Sequence, residues 1–313
     1  MEMPEPNSEI LLKKAKVAAA LRAVLPHDAV IDDPSETRAY ECDALTAYRC
    51  PPMIAVLPST TQQVSDVLKI CHREGVPVVP RGSGTSLAGG ALPTADCVIL
   101  GVAKMSQVLE TDYENRLIRV QSGRTNLSVS GAVEEEDFFY APDPSSQLAC
   151  AIAGNIAMNS GGAHCLKYGV TTNNLLGVTM VMMDGEIVEI GGGHLDSSGL
   201  DILGIICGSE GQLGVVTEAT LRILSKPEGA RPFFFSFFFF SFSFSFFSFF
   251  FFSFFLSFSF FFLFFPLFFF FFFFSFFFFS LFFFLFFFFF FFSLSFFLFL
   301  FFLFFTFSLY HIP

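Results

Sequence analysis

Apolar residues recur at helical spacing from Ser8 to Leu25 (Ile10, Leu11, Leu12, Val17, Leu21, Leu25) and stop before Pro26, which predicts one N-terminal helix. Met53–Leu57 is an apolar run of strand length. Ser59-Thr60-Thr61-Gln62 has capping-box spacing and predicts a helix through Val64, Val67, Leu68 and Cys71 that Gly75 closes. Val76–Val79 follows as a strand, after a connection long enough for a βαβ crossover. Cys97–Leu100 and Leu117–Gln121 predict further strands. Val178–Met183 and Glu186–Ile190 flank Asp184-Gly185, a strong hairpin signal, and Val215–Thr217 and Thr220–Leu224 predict two late strands. A parallel unit early and antiparallel pairs late predict an α+β fold.

The pattern stops at Pro232. Of 54 Phe residues only Phe138 and Phe139 precede that point, and all 17 Lys/Arg and 28 Asp/Glu do. The mean hydropathy of +0.63 thus averages two unlike pieces and is no membrane signature. From Phe233 to Phe305 the chain uses only Phe, Ser, Leu and Pro, residues whose codons can all begin with two pyrimidines. Nothing divides this run into spans, and no basic residue follows Arg231 to set a topology. The expectation is a translated low-complexity repeat or a gene-model artefact without a fold, prone to aggregate if made. The domains expected are an N-terminal helical segment (1–30), one α+β domain (31–230) and the Phe-rich tail (231–313).

Net charge, −11, falls wholly on the first piece and argues against a nucleic-acid groove. Residues 1–16 hold early acids and prolines and no apolar h-region, so no secretory signal is expected. The seven Cys (42, 50, 71, 97, 150, 165, 207) are scattered and lack any C-x-x-C, as expected of reduced, buried thiols in a cytoplasmic protein.

Candidate chemistry begins after the Val76–Val79 strand, with Pro80-Arg-Gly-Ser-Gly-Thr-Ser-Leu-Ala-Gly-Gly90. A glycine-rich turn at a strand end lets backbone N–H groups close on phosphate oxygens. The Rossmann spacing fails because position 87 is Leu, and a Walker A fails because no Lys follows Gly89. Taken alone, the loop is equally consistent with a plain turn. Three further stretches add to it: Tyr140-Ala-Pro-Asp-Pro-Ser-Ser-Gln147, then Ala153–Gly169, dense in small residues and amides, and the glycine cluster Gly208–Thr217. Small residues admit close approach of a large planar ligand, which amides and hydroxyls then orient.

Together with Tyr40-Glu-Cys-Asp43, these segments resemble the PCMH-type (vanillyl-alcohol-oxidase-type) FAD-binding domain, in particular that of the glycolate oxidase FAD subunit and FAD-linked D-lactate dehydrogenases. The resemblance runs from about residue 30 to Pro227. It implies two α+β subdomains with FAD between them. By the same carry-over Pro80, Arg81, Gly82, Ser83, Gly84, Thr85 and Ser86 hold the FAD pyrophosphate, and Pro142, Asp143 and Ser146 line the flavin and ribityl region. Gly154, Asn155 and Asn159 stand beside them, and Gly214 and Val215 approach by backbone. Relatives that tether flavin use a His in the glycine loop; here Ser83-Gly84-Thr85 implies non-covalent FAD. The activity implied is oxidation of glycolate or a D-2-hydroxy acid such as D-lactate to the 2-oxo acid, by hydride transfer to flavin N5. An iron–sulfur partner subunit and at most a peripheral place at the inner membrane are implied by resemblance alone.

The family's histidine-rich substrate motif has no counterpart here, so no catalytic base is assigned, no metal is expected, and the chain as written is expected to be inactive alone. Two alternatives stay open: a non-catalytic FAD-binding or assembly module, and a UDP-sugar reductase of the same fold. Plainer readings apply elsewhere. His164, Cys165, Lys167 and Tyr168 orient a loop; His27, His72 and His194 are isolated; Glu134–Asp137 is a solvated helix end; Gly191–Gly193 is a loop. Arg81 would meet a phosphate or bridge to a carboxylate.

Overall fold

The computed structural model describes residues 3–193 and 199–229. The expectations for the Phe-rich tail and for His194 lie outside the described residues.

The N-terminal periodicity folds as two helices, α1 (Ser8–Leu12) and α2 (Lys14–Val24), where the sequence suggested one. The break falls at Lys13, whose N–H returns to the Ile10 carbonyl in a tightened turn. Val17 and Leu21 of the expected stripe are buried, with Ala18 beside them, whereas Leu11 and Leu12 of α1 are exposed, so the stripe packs chiefly through α2. Two short elements without a sequence signal follow, β1 (Val30–Ile31) and α3 (Pro34–Thr37), and then β2 (Ile54–Val56). Helix α4 (Thr61–Glu74) starts one residue later than predicted. Thr60 is its cap, with the hydroxyl accepting from Gln63 N at 3.2 Å, while Gln63 Oε1 accepts from Ser59 N at 2.8 Å. The capping chemistry is as read, shifted by one position from Ser59 and Gln62. Gly75 ends the helix at φ +68°, the left-handed conformation that glycine adopts most cheaply.

Strand β3 (Val78–Arg81) runs two residues beyond the predicted Val76–Val79, and β4 (Val98–Gly101) lies parallel between β2 and β3. With β1 antiparallel on β2, the first sheet has the order β1-β2-β4-β3. The second sheet is built from β5 (Val108–Asp112) and β6 (Leu117–Gln121) and, after an excursion, three more strands. That excursion contains α5 (Asn126–Val133), β7 (Phe138–Phe139), α6 (Ile152–Met158) and α7 (Cys165–Tyr168). Next come β8 (Leu175–Val181), β9 (Ile187–Gly191), α8 (Ile202–Ile206), β10 (Val215–Arg222) and β11 (Leu224–Ser225). The order is β5-β6-β10-β8-β9, antiparallel throughout, and β11 pairs with β7. Strand β10 is continuous where the sequence suggested two strands. The polar interruption that divided them, at Glu218, coincides with a bulge in the pairing with β8 between Val216 and Glu218.

Each sheet has its own core. Val17, Leu21, Ile54, Leu68, Val98 and Leu100 fill the first; Ile118, Val120, Ile156, Met180 and Leu221 fill the second. Burying each such side chain contributes roughly 1.5–3 kcal/mol. Val181 of β8 and Val215 of β10 belong to the first core, which joins the two layers where β10 begins. Ser65 Oγ of α4 also donates to the Gly185 carbonyl at 2.6 Å, pinning the helix to the β8–β9 turn. The helical segment 1–30 packs into the first core, and all of this forms one compact unit, Met1–Lys226; of the unit beginning at Pro227 only residues 227–229 are described.

Candidate functional site

The glycine loop leaves the C-terminal end of β3, and its first support is the side chain of Arg81. Arg81 Nη1 donates to the carbonyls of Cys42 at 2.8 Å and Ala91 at 3.3 Å, and its guanidinium carbon lies 5.9 Å from the centre of the Tyr40 ring. Among the described residues Arg81 thus meets backbone carbonyls and no carboxylate. The loop's return at Ala91 and the turn at Tyr40–Asp43 surround the guanidinium with carbonyl oxygens instead. Gly84, at φ +70°, passes so close that a Cβ there would overlap the guanidinium. The Tyr40–Asp43 segment thus props the loop from behind, and buried Asp43 holds that turn by accepting from Leu45 N at 2.8 Å.

A second wall comes from α6. Ile152 N donates to Arg124 O at 2.9 Å and Ala153 N to Ser122 O at 2.7 Å, which ties the start of α6 to the end of β6. The glycine loop comes up against it: a Cβ on Gly82 would stand 3.3 Å from Ala151 Cβ and 3.4 Å from Gly154 N. The third glycine cluster is laced to the far end of α6 by Gly208 N to Ile156 O and Glu210 N to Ala157 O, both 2.8 Å. Gly214 lets β10 begin against β8, since a Cβ there would lie 2.7 Å from Val181 O.

These segments close around a cleft with a cavity volume of about 230 Å³. Pro80, Arg81, Gly82, Ser83, Gly84, Thr85, Ser86, Ser146, Gly154, Asn155, Gly214 and Val215 all line it. Pro142, Asp143 and Asn159 do not. Pro142 O accepts from Asn126 Nδ2, Asp143 is engaged by His164, and Asn159, left-handed at φ +48°, closes α6 and accepts from Thr172 N at 3.0 Å. The wall also includes Gly90, Ala91, Val102, Ser160, Ile206 and Ser209–Gly211. The glycine cluster around Gly211 was visible in the sequence. Val102 and Ile206 were not, because a wall side chain and a core side chain share the same apolar pattern.

Arg81, Cys150 and Glu210 are the ionisable residues along the described wall, and apart from the amide of Asn155 the remaining lining is small or apolar. Next to it, burial pushes the Tyr140 hydroxyl well above the usual phenol range, and burial pushes the Cys207 thiol up to about 11. All seven cysteines are free thiols, and no group of three or more His, Cys, Asp or Glu suited to a metal occurs among the described residues. His27 and His72 are exposed, as are Glu134–Asp137. No described helix is long and apolar enough to cross a membrane.

Two observations test the cleft against a dinucleotide such as FAD. Gly154, with nothing within 4 Å of its missing Cβ, leaves backbone uncovered on the α6 wall. Asn155 lines the cleft, is 1% exposed, and its Nδ2 has no hydrogen-bond partner among the described residues. A buried amide donor left open is costly unless a ligand takes it. The residues fit a polar, elongated ligand approached by backbone.

Comparison with known proteins agrees. The family described as FAD binding domain matches residues 52–191. The glycolate oxidase subunit GlcD of Escherichia coli (strain K12) is 47% identical over 224 residues, which are 72% of this chain and 45% of that protein. The D-lactate dehydrogenase of Anaerostipes hadrus is 34% identical over 220 residues, 70% of this chain and 45% of that protein. The chain therefore spans about half the length of these relatives. Among solved structures, p-cresol methylhydroxylase with substrate bound superposes with a TM-score of 0.61 at 21% identity, over 72% of this chain and 46% of that one, which shows the shared fold. Residues 52–191 are accordingly an FAD binding domain of the PCMH-type fold, and the chain is a homologue of the glycolate oxidase GlcD subunits and D-lactate dehydrogenases with FAD as its cofactor.

Proposed function

We propose that this chain is the FAD-binding part of an oxidoreductase that converts glycolate or a small D-2-hydroxy acid such as D-lactate to the 2-oxo acid. The observation that carries the reading is the convergence of three separate glycine-rich segments on one cleft beside the open amide of Asn155. The names of the relatives supply the substrate class. Bound FAD supplies the two-electron acceptor.

The roles of the residues follow from their placement. Backbone N–H groups and hydroxyls of Gly82, Ser83, Gly84, Thr85 and Ser86 hold the pyrophosphate, with Pro80 and Arg81 shaping the loop; the Arg81 side chain supports it from beneath. Ser146, Gly154 and Asn155 hold the polar face of the flavin and ribityl region, and Gly214 and Val215 present backbone. Pro142, Asp143 and Asn159 act from one layer behind. Binding is non-covalent, because Ser83-Gly84-Thr85 offers no imidazole. The one cation on the described wall is Arg81, whose Nη1 is engaged by two carbonyls; its role in this reading is to support the loop, and the clamp for a substrate carboxylate lies elsewhere. An iron–sulfur partner subunit and a peripheral place at the cytoplasmic face of the inner membrane belong to the same reading, supported by the family resemblance and by the word subunit in the GlcD name.

The purified chain, refolded with FAD and desalted, should be yellow, release its flavin on acid denaturation, and keep its absorption band when glycolate or D-lactate is added. A colourless folded protein would sink the flavin reading. Bleaching by either acid would show that the described cleft suffices for oxidation and overturn the view that the clamp lies elsewhere.

A further inference from the structure

Two loops meet at the edge of the cleft, and each puts a serine into its wall: Ser146 follows Pro142-Asp143-Pro144, and Ser160 opens the run to Cys165. One side-chain contact rivets them together. Asp143 Oδ1 accepts from His164 N at 3.2 Å, and Asp143 Oδ2 lies 2.6 Å from His164 Nδ1. An ionised carboxylate only accepts, so the contact fixes the ring proton on Nδ1. The imidazole is half-exposed, the carboxylate is 19% exposed, and Tyr168 flanks the ring at 6.5 Å between centroids. Beneath the pair the loops touch through backbone: a Cβ on Gly162 would overlap the Asp143 carbonyl. Prolines on both sides of Asp143 leave that loop few free torsions, so a grip at Asp143 is carried along the chain to Ser146.

We propose that His164 is a positioning residue for the cofactor. By holding Asp143 at two points it sets the Pro142–Ser146 loop, and with it Ser146, at the wall against which FAD is bound. This rests on the flavin reading of the cleft. An ordinary exposed ion pair is worth little, but this one joins ring and backbone N–H to a single carboxylate across two loops that both contribute to the site. His164 itself is not part of the wall, so its effect passes through Asp143.

The test uses two amides of different reach on the full chain. In His164→Asn the side-chain NH₂ falls near the position of Nδ1 and keeps the contact; in His164→Gln it reaches past Asp143. We expect the Gln variant to bind FAD about tenfold more weakly, the scale of a lost charged hydrogen bond, and to shift the bound flavin's absorption bands toward those of free flavin. The Asn variant should stay within about threefold of the parent, with both unfolding midpoints close together. Equal affinities in all three proteins, equal losses in both variants, or a loss of affinity that tracks the unfolding midpoint would each overturn the proposal. Should the Gln variant fail to fold, a double-mutant cycle of His164→Ala and Asp143→Ala on FAD affinity decides: non-additive losses support the pair, and additive losses refute it. A folded parent chain that binds no FAD would overturn the flavin reading itself, whereas a parent that binds FAD alongside an unaffected Gln variant would overturn only this inference.

Discussion

At the scale of single residues, glycines in this chain divide by what surrounds them. Gly162 has the Asp143 carbonyl where a side chain would go, whereas Gly131, inside α5, has nothing within 4 Å of its missing Cβ. Gly162→Ala should force the two cleft loops apart, costing about 1–3 kcal/mol and weakening flavin binding. Gly131→Ala should stabilise by about 0.5–1 kcal/mol and leave flavin binding unchanged. Urea unfolding paired with flavin titration of both variants checks this, and equal stabilities would refute it. Both glycines look alike in the sequence. Likewise Arg81 was legible as part of a glycine loop, but its partners, the carbonyls of Cys42 and Ala91, are backbone atoms that no side-chain pattern announces.

At the scale of elements, local chemistry was read well and its register less well. The start of α4 has two adjacent hydroxyl residues that each satisfy the capping pattern, Ser59 with Gln62 and Thr60 with Gln63. The structure uses the second. Thr60→Ala should therefore cost about 1 kcal/mol, and Ser59→Ala less, because the Ser59 hydroxyl only adds a second donor, at 3.1 Å, to the Gln63 Oε1 that its backbone N–H already holds at 2.8 Å. Thermal unfolding of the two variants checks the assignment; the reverse order would place the cap at Ser59. Strands β5 and β7 and the continuity of β10 left weaker marks in the sequence. Val108–Asp112 and Phe138–Phe139 are short and half-exposed edges without clean alternation, and in β10 the burial alternates throughout while a bulge at Glu218 locally disrupts the pairing with β8.

At the scale of the whole molecule, the buried thiols should contribute to an alkaline limit of stability. Burial pushes Cys71 up to about 12 and Cys97 and Cys207 up to about 11. Each group binds its proton more tightly folded than unfolded, so its stabilisation is complete below the unfolded value of about 8.5 and is lost as pH rises through the folded one. Stability should fall from about pH 9 to 11, each thiol contributing up to roughly 1.4 kcal/mol per pH unit. Urea midpoints against pH should show this limb, and Cys71→Ala should flatten it; a flat profile to pH 11 would contradict it. On the acid side the sign reverses. The hydrogen bond from Lys104 holds Asp28 below the usual carboxylate range, and the Asn115 N–H does so for Asp112, so this stabilisation is present above about pH 4 and lost as pH falls through the lowered values.

The sequence by itself determined the α+β class, the early parallel unit, the late antiparallel hairpin and the glycine segments that make the site, because these are encoded in local spacing and in side chains that are small or turn-forming. Twelve of the fifteen cofactor residues expected from resemblance line the cleft for that reason. Tertiary structure alone decided that Asp143 faces His164, that Arg81 holds the Cys42 carbonyl, and that Val102 and Ile206 complete the wall. Each of these depends on which segments meet across tens of residues, and a contact between distant segments leaves no periodicity in either one.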